Sequence, residues 1–158
     1  MSQTPAQTQI DHWQRYFAVE CNNQAWALAD QARRTPSEDA EMLAAAYAAA
    51  YHWTKIGTPV NGGRADVTLA HVHAILGNGG EALHHAQSAL DFFQTGEGED
   101  WDLAFAHAVM ARSAAVMGDR DLHGVHYAAA QSTGGAIVDE ADRAVFLAEL
   151  AKVPGEVL

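Results

Sequence analysis

The stretch from Arg64 to Phe93, RADVTLAHVHAILGNGGEALHHAQSALDFF, admits few folds, because it is two helical patterns joined by Gly77-Asn78-Gly79-Gly80. In Arg64–Leu76 the apolar residues Ala65, Leu69, Val72 and Leu76 trace one stripe of an α-helix. Val67, Ala70 and Ala74 give the same helix a second, small-residue face, and a helix apolar on two sides packs between neighbours. Gly77 offers the left-handed position that ends a helix, and Asn78 is the expected cap of the next, with Glu81 as its capping-box partner. Ala82, Leu83, Ala86, Ala89, Leu90 and Phe93 then form one wide stripe, with His84, Gln87, Ser88 and Asp91 on the wet face. A connection this short forces the two helices antiparallel.

This hairpin resembles a tetratricopeptide repeat (TPR). Leu69-Ala70 falls at that family's large–small pair, Gly77 at its inter-helix turn, Glu81-Ala82-Leu83 at the start of its second helix, and Ala89-Leu90 at its later small–large pair. Asp66 stands where the family has an early tryptophan, His73 and Ala86 replace its aromatics, and no proline closes the unit. The resemblance implies an all-α fold of antiparallel hairpins stacked as a short right-handed array. It also implies that the first helix of each hairpin lines a concave groove that binds a peptide or a partner helix.

Composition agrees with an all-helical chain. Roughly a fifth of the 158 residues are alanine, a strong helix former whose small side chain lets helices approach closely. A formal charge of −11 with no Lys/Arg cluster argues against a nucleic-acid phosphate footprint and equally against an anionic membrane surface. The single Cys21 excludes an intramolecular disulfide framework and suits a reducing compartment. No signal core or membrane span is visible, so the expected protein is soluble and cytoplasmic.

Residues 1–8 read as a flexible leader, 9–153 as a single TPR-like helical domain, and 154–158 as a tail. Helix 1 is expected from Gln9 to about Gln31, with Asn22-Asn23 as a weak point. Thr35-Pro36-Ser37-Glu38 starts helix 2 with a capping box and a proline in the first turn. Helix 2, apolar almost all round (Met42, Leu43, Tyr47, Tyr51, Trp53), should be central. Gly57–Gly63 reads as a breaker loop, with Asn61 capping helix 3. The acids Glu97, Glu99, Asp100 and Asp102 open helix 5, where they oppose the helix dipole. Helix 5 stops at Gly118, and Asp119 caps helix 6 (Arg120–Gln131), followed by a turn at Ser132–Gly135. Gly77 and Gly118 lie 41 residues apart, so the unit recurs with an insertion relative to a period of about 34. Helix 7 (Asp139–Lys152), with Ala144, Leu147, Leu150 and Ala151 opposite Glu140, Arg143 and Glu149, is expected to cap the array.

Chemistry-bearing patterns are sparse. His71 and His73 point to different sides of one helix, and the adjacent His84 and His85 diverge. Glu81-Ala82-Leu83-His84 has the Glu-x-x-His spacing of di-metal bundles but lacks the second motif and the further glutamates. His123 and His126 share a face beside Tyr127, a weak metal alternative that needs further ligands. No nucleophile elbow, activated cysteine or phosphate loop is present, so the reading is non-enzymatic, with no cofactor. The four tryptophans, Trp13, Trp26, Trp53 and Trp101, suit packing before ligand platforms.

What remains is a surface. If helices 1, 3 and 5 line the groove, it draws on Asn23, Trp26 and Asp30, then Arg64, Val67 and His71, then Phe105, Ala108 and Arg112. Val67 and Ala108 sit where the family's carboxylate clamp wants Lys or Asn, but Arg64, His71 and Arg112 favour an acidic or C-terminal ligand. The expected function is therefore a protein–protein interaction module with a protein or peptide partner. A self-assembling homodimer or larger helical oligomer, and a histidine-dependent metal or small-molecule binder, are the alternatives.

Overall fold

The computed structural model describes residues 4–157. Among them the chain forms seven helices and no strand: α1 (Gln7–Ala29), α2 (Pro36–Ile56), α3 (Pro59–Ile75), α4 (Gly79–Phe93), α5 (Asp100–Met117), α6 (Arg120–Gly135) and α7 (Glu140–Leu150). Each helix packs on the next, and α1, α3, α5 and α7 also touch in succession. The pattern is that of stacked hairpins, the first helices forming one layer and α2, α4 and α6 the other.

Three apolar clusters fill the joints. Ala25, Leu28, Met42, Ala45, Ala46, Leu69 and Val72 join the first hairpin to α3. Val67, Ala70, Ala86, Ala89, Leu90, Phe93, Ala106 and Met110 join the second hairpin to α5. Ala104, Ala108, Ala111, Ala130, Ile137, Phe146, Leu150 and Val153 close the far end. Alanine dominates because a methyl group is all that fits where two backbones approach. Bare glycine serves where even that is too large: a Cβ at Gly63 would lie 2.8 Å from the Phe93 ring.

The local signals behave as chemistry requires. Thr35 accepts the Glu38 amide, and Glu38 reaches back to the Thr35 amide (2.7 Å). Asp119 accepts the Leu122 amide. Gly77 and Gly118 have φ of 76° and 72°, the left-handed stops expected of them.

Other expectations need correction. α1 starts at Gln7, so the leader is shorter than eight residues, and its first three lie outside the described residues. It runs unbroken through Asn22-Asn23 and ends at Ala29, where Arg34 Nη1 donates to the carbonyls of Leu28, Ala29 and Gln31. α3 starts at Pro59, inside the expected loop: Thr58 is its N-cap, and Asn61 serves from within by accepting the Thr58 amide. The Asn78 side chain does not cap α4 but meets His73 Nδ1. α6 continues through Ser132–Gly135, where Gly134 abuts the Phe146 ring.

α2 is not central. It buries Met42, Ala45, Ala46 and Ala49 but leaves Tyr47 and Tyr51 exposed, because only α1 and α3 pack on it. α3 and α5, each in contact with four helices, are the central elements, and α3 buries both His71 and His73. α7 is rotated from its expected setting. It buries Phe146 and Leu150, while Ala144, Leu147 and Ala151 are exposed.

Candidate functional site

The layer of first helices holds a cavity of about 460 Å³, lined by Asn22 and Trp26 of α1 with Asp30 at its C-cap, Arg64, Val67 and Thr68 of α3, Trp101, Asp102 and Phe105 of α5, and Asp142, Val145 and Glu149 of α7. Each helix presents residues three or four apart, the spacing that keeps side chains on one face. That volume lies within the range of small-ligand sites.

Its aromatic floor is locked in place. Trp26 stacks on His71 (ring centroids 4.2 Å apart) and meets the edge of Phe105. The Trp26 indole donates to Thr68 Oγ1 (3.0 Å), and the Thr68 hydroxyl donates to Asn22 Oδ1 (2.9 Å). Phe105 in turn meets Trp101 and Phe146 edge-on.

Most of the lining charges are tied to a partner. Arg64 donates from Nε and Nη2 to the two carboxylate oxygens of Asp102, each at 2.8 Å, and its guanidinium lies over the Trp101 ring. Asp102 is fully buried and also accepts the Glu99 amide, so its oxygens are satisfied. That hydrogen bonding raises the Arg64 pKa above its usual value. Gly98, at φ 90°, lets the preceding loop close over the pair, since a Cβ there would sit 2.6 Å from Asp102 Oδ2. Across the cup, Lys152 Nζ bridges Asp30 Oδ1 (2.7 Å) and Glu149 Oε1 (2.6 Å). This latch joins the end of the first helix to the segment after the last across one side of the cavity, called the cup below.

Behind Trp26 and Phe105 lies a narrow recess formed with His71, Ala108, Val109, Arg112, Glu149 and Val153, with space of about 10 Å³, enough for one water. His71 is buried, and burial, aided by the fields of Arg112, Lys152 and Arg34, lowers its pKa to about 3, so it is neutral. Burial also lowers the Arg112 pKa, against an opposing pull from Glu149. Among the described residues, Arg112 has no hydrogen bond or ion pair, and buried Glu149 Oε2 has no donor.

Of the residues expected in the groove, Trp26, Asp30, Arg64, Val67 and Phe105 share the cup, while His71, Ala108 and Arg112 line the recess behind it. Asn23 points elsewhere and Asn22 takes its place, a slip of one residue along α1. Arg64 and Arg112 do not form a free basic pair, because Arg64 is held by Asp102. The α7 residues are absent from the expected lining because the sequence reads that helix as a cap. Asp142, Val145 and Glu149, at i, i+3 and i+7, were the available signal.

The histidines outside the groove pair off. His123 donates from Nε2 to the Pro154 carbonyl and stacks on Tyr127, whereas His126 turns to His107, with Nδ1 atoms 3.0 Å apart. The two candidate metal ligands therefore do not converge. Among the described residues no three His, Cys, Asp or Glu side chains gather to hold an ion. His73 meets the Tyr47 hydroxyl, and His85 meets Asp66. Burial raises the pKa of the half-buried Cys21 thiol, which suits an inert residue. No described helix is long and apolar enough to cross a membrane. No protein-family model, no curated protein and no solved structure matches the chain.

Proposed function

We propose that this chain is a non-enzymatic, cytoplasmic interaction module of TPR-like architecture that binds a peptide segment of a partner protein in its concave cup. The observation that carries the reading is the cavity itself. Four successive first helices contribute to it, and its aromatic floor is held by a hydrogen-bonded chain from Trp26 through Thr68 to Asn22. Preorganised aromatic surface loses little freedom on binding and is the usual anchor point of a partner. A cup of about 460 Å³ latched by Lys152 suits one or two anchoring side chains better than a whole helix, whose diameter is about 10–12 Å.

The test is selection from a displayed random-peptide library on the full chain, followed by affinity measurement on two variants. Val145 is 62% exposed at the rim, so Val145→Trp fills the cup without disturbing the core. Asp91→Lys changes the opposite, convex side. Selected peptides should lose at least tenfold in affinity on the first variant and keep it on the second. Peptides indifferent to Val145→Trp would reject the cup.

Self-association is a second reading, favoured by one observation. Trp13, Tyr16 and Phe17 are exposed at the start of α1 and run as a continuous ring cluster through His52 to Tyr51. Light scattering that shows a dimer abolished by Trp13→Glu, with no peptide selected, would put this face ahead of the cup.

A further inference from the structure

We infer that the group taken into the cup is cationic, an ammonium or guanidinium on an apolar stem, and not the acidic segment the sequence suggested. The inference rests on the cup being the binding surface and concerns the chemistry of its occupant.

Four carboxylates line the cavity, those of Asp30, Asp102, Asp142 and Glu149, against one cation, Arg64. Arg64 is committed to Asp102 through both of its hydrogen bonds, and one face of Trp101 is covered by it. Lys152 reaches in from outside the lining and takes one oxygen each of Asp30 and Glu149. Even with Lys152 and the recess cation Arg112, whose charge is coupled to Glu149, included, carboxylates outnumber cations four to three. Asp142 has no ion pair among the described residues, and Glu149 Oε2 is a buried acceptor without a donor.

In a space partly withdrawn from water, Coulomb interactions are several times stronger than in bulk. An anion placed there would add to the repulsion. A cation would relieve it and meet the rings of Trp26 and Phe105, the arrangement that attracts ammonium and guanidinium groups. The recess does not reverse this balance. His71 there is neutral, and Arg112 sits behind Trp26 and Phe105, where the space holds only one water.

A lysine or arginine side chain of a peptide and a free organic amine share this chemistry. Titration calorimetry of the full chain with benzyltrimethylammonium and with 3-phenylpropionate reads the charge preference directly. Peptides selected on the cup, remade with norleucine at each Lys or Arg, separate the two sources: a loss of affinity identifies a peptide side chain. Retention with tight ammonium binding identifies a free amine. The ammonium should bind at least tenfold more tightly than the carboxylate. Asp142→Asn with Glu149→Gln should weaken it by roughly tenfold. Asp142→Asn alone, at an exposed position, should act in the same direction and guards against misfolding of the pair.

A carboxylate that binds as well as the ammonium overturns the inference and leaves the cup standing as the binding surface. So do selected peptides that ignore both norleucine and the two carboxylate substitutions while neither small probe binds. Failure of the cup itself is read separately, from indifference to Val145→Trp.

Discussion

His71 should make the fold acid-sensitive in a way that can be isolated. Its ring lies buried against Trp26, and its pKa falls from 6.5 to about 3. Above pH 6.5 the imidazole is neutral folded and unfolded, and it contributes no pH dependence. Between 6.5 and 3 the unfolded chain binds a proton that the native state does not. Stability therefore falls as pH falls, by about 1.4 kcal/mol per unit for this one group. From pH 6.5 to 4.5 the loss is about 2–3 kcal/mol, a large fraction of a typical domain's stability. His73, His107 and His126, whose pKa values burial also lowers, act in the same direction, so the total slope does not by itself report His71. His71→Phe keeps a ring on Trp26 and removes the titrating group. Urea denaturation of both proteins at pH 7 and pH 4.5 should show the variant losing about 2–3 kcal/mol less than the wild type. Equal losses would mean that His71 escapes to solvent on protonation, and that the floor of the cup is not locked as described.

Three further outcomes follow from packing. Ala89→Leu, at a fully buried contact of α4, should cost about 1–3 kcal/mol, whereas His84→Ala on the exposed face should change stability by less than about 0.5 kcal/mol in chemical denaturation. Gly134→Ala drives a methyl group into the buried Phe146 ring and should lower the melting temperature by several degrees, about 1–3 kcal/mol in free energy, while Gly135→Ala, in open space, should not. Lys152→Ala removes the bridge between Asp30 and Glu149; because Lys152 and Asp30 are both about half exposed, loss of that ion pair should change stability by less than about 1 kcal/mol, while amide exchange at the C-terminal end of α1 quickens.

Much of this architecture is legible from local chemistry. Gly77 and Gly118 announce helix stops because only glycine takes a positive φ without strain, and the Thr35–Glu38 box is complete within four residues. The α4 stripe reads correctly since its opposite face is polar. α7 does not, because apolar residues occur on two faces: Ala144, Leu147 and Ala151 compete with Phe146, Leu150 and Val153, and only contact with Gly134 and Phe105 chooses between them. α2 misleads for a similar reason, as tyrosine suits a wet surface as well as a core. In the cup, periodicity finds Trp26, Arg64 and Phe105, but no local pattern announces that Arg64 pairs with Asp102, 38 residues away. That pairing removes the free basic patch on which an acidic ligand was expected.

The four tryptophans offer the most direct test of the cup. Trp26 and Trp101 line it, Trp13 stands exposed on the first hairpin, and Trp53 lies outside the lining. Each indole N–H gives its own resonance in a nitrogen–proton correlation spectrum, so one titration with a selected peptide reports on all of these positions. The account predicts that the Trp26 and Trp101 signals move together and saturably while Trp13 and Trp53 stay in place. Movement of Trp13 with Trp26 and Trp101 unchanged would contradict it and put binding on the aromatic face of the first hairpin.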